Sequence, residues 1–198
     1  MTVNRRAHTG SRRNEAAERA ILDAAADLLA AAGGDVQITV SAIAERAGVG
    51  KQTIYRWWPS KSAVLLDAMV HRAQQAAPIP DTGHLDGDLR AFLSSTFSAA
   101  AVHRTLLMGA LREALGDVAT MERLAAFTAT RREELARIVH RAETRGEIAP
   151  MDRPEIVVDQ VFGLLWYRMA FAHQPLDEQA ADDLAAAVAA QLRTTRED

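Results

Sequence analysis

Between Thr39 and Lys61 the chain reads TVSAIAERAGVGKQTIYRWWPSK, and its chemistry is that of hydrogen-bond donors and acceptors gathered on one short segment. At roughly 100° per residue, a helix over Lys51 to about Trp58 puts Ile54 and Trp58 on one side with Gly50, and turns Gln52 and Arg56 the opposite way, flanked by Thr53 and Tyr55. The outward face offers an amide, a guanidinium, a hydroxyl and a phenol. Gln pairs bidentately with an adenine edge and Arg with guanine or a phosphate, each good pair discriminating by about 1–3 kcal/mol. Pro59 stops the helix, Ser60 caps the next one, and Lys61 falls in that helix's first turn, well placed for a phosphate.

The elements needed to hold that face are legible nearby. Val40, Ile43, Ala44 and Ala47 recur at i, i+3, i+4 and i+7, so a short helix presents one apolar stripe and a solvated back of Ser41, Glu45 and Arg46. Thr39 stands at its N-cap, and Gly48 follows the last periodic residue, where a sharp turn into another helix favours φ above zero. This is a helix-turn-helix layout. Two unrelated amphipathic helices with a polar surface explain the polarity, but not the agreement of turn glycine, two caps and outward face. Upstream, Ile21, Leu22, Ala25, Leu28, Leu29 and Ala32 mark a first helix from about Asn14 to Ala32, ended by Gly33-Gly34. The expected core of this bundle is Leu22, Leu29, Ile43, Ile54 and Trp58, with Trp57 turned partly outward.

Charge follows the same division. The chain has 198 residues and a net charge of −3. Residues 1–61 hold nine Lys/Arg against six Asp/Glu, while residues 62–198 hold fourteen against twenty. The basic part is the part with the motif. Arg5, Arg6, Arg12 and Arg13 define a flexible basic arm over 1–13, suited to phosphates or a minor groove. With no cysteine there is no disulfide framework and no thiolate chemistry, which fits a cytoplasmic protein. No apolar run reaches the length of a membrane span.

Domains are expected at 14–60 (helix-turn-helix), 61–77 (linking helix) and 78–198. Val64, Leu65, Ala68 and Met69 continue at helical spacing from Ser60 to about Gln75, and Pro78-Ile79-Pro80 breaks the run. Helices then follow at about Asp86–Val102, Arg104–Leu115, Asp117–Arg145, Asp152–Ala172 and Asp177–Arg193, with no alternating strand pattern. The fold class is all-α, with about nine helices. Asp152 with Glu155 reads as a capping box.

Enzyme chemistry finds no support. The six histidines show no HxxxH or HExxH spacing, Ser41, Ser60 and Ser62 lack a GxSxG context, and no glycine-rich phosphate loop exists, so neither a metal nor a cofactor is expected. The 78–198 region instead carries Phe92, Met108, Phe127, Trp166, Tyr167 and Met169, with His103 as a polar anchor. Met and aromatic side chains suit an adaptable apolar pocket. Plain core packing is the competing assignment for each alone. The helix around Val161, Leu164, Leu165 and Arg168 is apolar around much of its circumference, so it touches protein on two sides. With Leu184 and Val188 of the final alanine-rich helix, these residues are candidates for a four-helix dimer interface.

The residues Ile43-Ala44-Glu45-Arg46-Ala47-Gly48-Val49, Thr53-Ile54-Tyr55 and Trp58-Pro59-Ser60-Lys61 resemble the DNA-binding segment of TetR/AcrR-family transcriptional regulators. The resemblance is specific over about 14–66 and architectural beyond. It implies a homodimer, a double-stranded operator, a small-molecule effector, most often repression, and DNA contacts at Thr39, Lys51, Gln52, Thr53, Tyr55, Trp57 and Lys61. Arg56 is added from geometry. Gln52 replaces a residue usually small, and Gly50 removes a hydroxyl that the family often has. The alternative is a helical ligand-binding or sequestering protein without specific DNA binding.

Overall fold

A computed structural model describes residues 5–31, 38–75 and 79–194, with side chains at 14–31, 38–72 and 79–193. Among the described residues every regular element is helical: α1 (Arg5–Ala31), α2 (Val40–Ala47), α3 (Lys51–Trp57), α4 (Lys61–Gln75), α5 (Leu85–Val102), α6 (Arg104–Ala114), α7 (Val118–Thr144), α8 (Glu155–Phe171) and α9 (Glu178–Thr194). They form two compact units, one of 1–76 with 110–127, the other of 77–109 with 128–198.

In the first unit α1 packs against α4 and α2, and α2 against α3. Ile21, Ala25, Ile43 and Ile54 are fully buried, and Leu29 and Trp58 nearly so. Leu22, expected in this core, is only half-buried, because the stripe of α1 turns on Ile21. Thr39 caps α2 by accepting the Ala42 N–H at 3.1 Å. Gly48 closes α2 in the left-handed region at φ 66°, where a side chain is strained. Ser60 accepts the Ala63 N–H at 3.1 Å and so starts α4.

Two boundaries differ from expectation. α1 begins at Arg5, so residues 5–13 of the expected arm are helical; once a helix is nucleated, each added residue contributes a bond without a second nucleation cost. The side chains of Arg5, Arg6, Arg12 and Arg13 lie outside the described residues. Residues 110–127 belong with the N-terminal helices rather than with the rest of 78–198.

In the second unit α5 packs on α9 and α8, burying Leu89, Phe92, Leu93 and Phe97 with Val161, Leu165, Val188 and Leu192. The start of α5 is held by a polar latch. The fully buried Asp88 carboxylate accepts the Thr82 N–H at 2.6 Å and the Thr82 hydroxyl at 2.8 Å. It also pairs with Arg145 at 3.2 Å and Arg141 at 3.6 Å. Gly87 permits this approach, since a Cβ there meets Thr82 Oγ1 at 2.3 Å. Burial raises the Asp88 pKa, but the Thr82 donors and the arginines outweigh it and hold the group below 3.8. The expected capping box at Asp152 is absent: α8 starts at Glu155 with Pro154 at the N-cap and no side-chain cap. The residue before a proline is driven out of the helical region, so Arg153 stops the helix from starting earlier.

Candidate nucleic-acid interface and effector region

α3 is seven residues long, too short to persist in water alone, so packing decides which way its side chains face. Ile54 is 0% exposed and the Trp58 side chain, just past the helix end, 2%. That anchorage leaves Lys51, Gln52, Tyr55 and Arg56 on the solvent side, with Tyr55 54% exposed, and Thr53 and Trp57 half-buried. Lys61 is exposed at the start of α4, and neither α3 nor α4 has an acid in its first turn. Thr39 is exposed too; its oxygen is engaged as the α2 cap, which leaves its O–H free to donate. All eight residues expected to touch DNA therefore lie at or partly at the surface of one small bundle.

The interior of that bundle shapes the surface. The Trp57 and Trp58 rings meet edge to face at 5.7 Å, and the Arg56 guanidinium lies 4.9 Å over the Trp57 ring. Arg56 is thus a stacked planar donor rather than a free rod, with its direction set by Trp57. Arg46, on the back of α2, is paired with Asp27 at 2.8 Å.

Sequence reasoning passed over a second ring of residues. Asp67 of α4 accepts the Trp58 indole N–H at 2.7 Å and forms an ion pair with Arg123 of α7, whose other Nη reaches the Trp57 carbonyl at 3.4 Å. The available signal was that Asp67 is the single carboxylate of α4, set in an otherwise apolar stretch from Ala63 to Met69.

The effector-region candidates differ in exposure. Phe92 and Met169 are packed away at 2% and 0% exposure, and His103, Met108, Phe127 and Trp166 are half-buried. Tyr167 is 56% exposed and lies against Phe171 and His173, so it faces away from any interior site. Phe127 belongs to the N-terminal unit, the others to the C-terminal one. Burial pushes the His103 pKa down, favouring the neutral ring. The Arg104 Nε–H donates to the Met169 carbonyl at 2.8 Å. Arg131, in a run of charges that reads as solvated, lies with its guanidinium 4.7 Å over Phe92, beside Thr96 and Glu134. Its burial lowers its pKa against the opposing charge of Glu134.

The dimer candidates need a correction of face. Val161, Leu165 and Val188 are 0–4% exposed within the single chain, and Leu164, Arg168 and Leu184 are half-buried, Arg168 donating to the Pro175 carbonyl at 2.8 Å. The outward apolar stripe of α8 is instead Ile156, Gly163, Tyr167 and Phe171, at i, i+7, i+11 and i+15. A helix apolar on every side does not announce which stripe turns inward.

A short helix with a polar outer face, seated on an apolar bundle after a glycine turn, defines a helix-turn-helix DNA-binding protein. Residues 21–68 match the profile of bacterial regulatory proteins of the tetR family, and residues 79–188 that of the tetracyclin repressor-like C-terminal domain. An HTH-type transcriptional regulator of Bacillus subtilis, YdeS, is 32% identical over 88% of this chain and 89% of its own length. AqdR, an HTH-type transcriptional regulator of Rhodococcus erythropolis, is 28% identical over 80% of this chain and 78% of its own. The crystal structure of the TetR-family regulator SCO0332 superposes with a TM-score of 0.75 at 28% identity, covering 88% of this chain and 97% of its own. FadR of Bacillus subtilis, solved in complex with stearoyl-CoA, has the same fold, with a TM-score of 0.56 at 20% identity over 86% of this chain and 97% of its own. The chain belongs to the TetR family of DNA-binding transcriptional regulators, a family of regulators rather than enzymes. No described helix is long and apolar enough to cross a membrane.

Proposed function

We propose that the protein is a repressor that binds a palindromic operator as a homodimer and is released by a small apolar or amphipathic ligand. The observation carrying this reading is the outward face of α3, where Gln52, Tyr55 and Arg56 stand in water because Ile54 and Trp58 are buried beneath them. In it, Gln52 reads a base edge, Arg56 stacked on Trp57 reads a base or clamps a phosphate, and Thr39, Lys51, Thr53, Tyr55, Trp57 and Lys61 hold the backbone. The dimer forms through α8 and α9, with the Ile156, Gly163, Tyr167 and Phe171 stripe turned to its symmetry mate. Two α3 helices fit successive major grooves only at about 34–36 Å or a multiple, so a ligand that favours another spacing lowers operator affinity. An apolar or amphipathic effector is supported by the half-buried Met108 and Trp166 of the C-terminal unit, and stearoyl-CoA in the FadR structure belongs to that chemical class.

The test is a binding titration with the palindrome that the protein selects from random duplexes, run across salt concentrations. Tyr55→Ala and Lys61→Ala weaken binding to matched and scrambled duplexes alike, and Lys61→Ala lowers the salt slope by about one. Gln52→Ala relaxes preference at one base pair per half-site, by about 5- to 150-fold for the 1–3 kcal/mol of a bidentate pair. Selection of no sequence at all overturns the reading.

A further inference from the structure

The ring of polar contacts at the end of α3 involves a helix that the DNA interface itself does not use. Trp57 is the last residue of α3, and its carbonyl is among those that a helix end leaves without an intrahelical partner. Arg123 supplies one from α7, at 3.4 Å, while pairing with Asp67 of α4. Asp67 in turn takes the Trp58 indole N–H on the same carboxylate oxygen. One guanidinium thus reaches acceptors on two different elements, a task for which Arg's planar fork is suited and the single ammonium of Lys is not. The grip falls on the residue whose ring carries Arg56.

We propose that Arg123 is a positioning residue for the recognition helix, holding the end of α3 that carries Trp57 and, stacked on its ring, Arg56. This rests on the reading of α3 as the operator-reading element and names a residue that aims it. Phosphate contacts tolerate a small change in the aim of α3 better than bidentate base pairing does. Loss of the grip therefore removes discrimination before it removes affinity.

The experiment compares wild type, Arg123→Ala and Arg123→Lys at a temperature well below unfolding. Three quantities are read: the ratio of affinities for the selected palindrome and a scrambled duplex, the melting temperature, and the indole N–H resonances of Trp57 and Trp58 in 15N-labelled protein. Arg123→Ala is expected to lower the ratio at least ten-fold, with scrambled-duplex affinity within three-fold of wild type, and to move both indole resonances. Arg123→Lys, which keeps the charge beside Asp67 but not the fork, gives an intermediate ratio. A ratio within two-fold of wild type in folded Arg123→Ala overturns the proposal. If Arg123→Ala does not fold, Arg123→Lys decides by the same criterion. If the wild type prefers no duplex, the operator reading fails on its own; unmoved indole resonances then overturn the positioning role, and moved ones support it.

Discussion

Neighbouring residues on α3 have opposite duties, and substituting each in turn separates them. Ile54 is fully buried and is the one buried side chain of the helix; Tyr55, the next residue, is 54% exposed. Ile54→Ala removes three carbon atoms from the interior, about 2.4 kcal/mol at roughly 0.8 kcal/mol per methylene equivalent. The cavity left under a seven-residue helix adds about 1 kcal/mol, giving a total of about 3–4 kcal/mol, inside the range of such core truncations. For a unit of roughly 60–100 residues that lowers the melting midpoint by roughly 12–32 °C. Differential scanning calorimetry is the assay, because the two compact units can melt separately and the loss should fall on the transition containing α1 to α4. Tyr55→Ala should leave both transitions within about 0.5 kcal/mol of wild type while weakening operator binding. A cost for Ile54→Ala below about 1 kcal/mol, or for Tyr55→Ala above 2 kcal/mol, refutes the assignment of inner and outer faces.

Other consequences follow from the C-terminal unit. Asp88→Asn leaves Arg141 and Arg145 without their buried counter-charge, at about 2–4 kcal/mol, since both arginines keep a quarter to a third of their side chains in water; urea unfolding checks it. Because Asp88 is held below 3.8, its contribution is complete above that pH and is lost as pH falls through the lower folded value, so wild type and Asp88→Asn converge in stability under acid. Tyr167→Glu sets two like charges into the proposed symmetric interface and should halve the mass seen by sedimentation, with the helical circular dichroism unchanged; an unaltered mass rules out that stripe. Val161→Glu, by contrast, buries a charge within the chain and should unfold the C-terminal unit, which the loss of its thermal transition reports.

The helix-turn-helix was legible before any coordinates because its determinants are local. Thr39 and Ser60 cap the helices that begin within three residues of them, Gly48 turns the chain by its own backbone freedom, and the alternation of Ile54 with Gln52 and Arg56 follows from helical pitch alone. Family membership rests on that same stretch and on its C-terminal counterpart. The all-helical class and most boundaries come from the same kind of signal, a periodicity and a nearby stop. Where a tertiary partner or proline sets the boundary instead, as at Glu155 in place of Asp152, the local signal misleads.

Everything that depends on distant pairing was decided by the fold. In α8 the apolar residues run round the helix, and only packing against α5 determines that Val161 and Leu165 turn inward while Tyr167 and Phe171 turn out. Charged residues are silent in sequence for the same reason: Asp67, Asp88, Arg123 and Arg131 have the composition of a solvated surface, and most of their partners lie 35 to 66 residues away. Helical pitch is written into neighbouring residues, whereas the burial of a charge is a property of whatever the remainder of the chain brings against it.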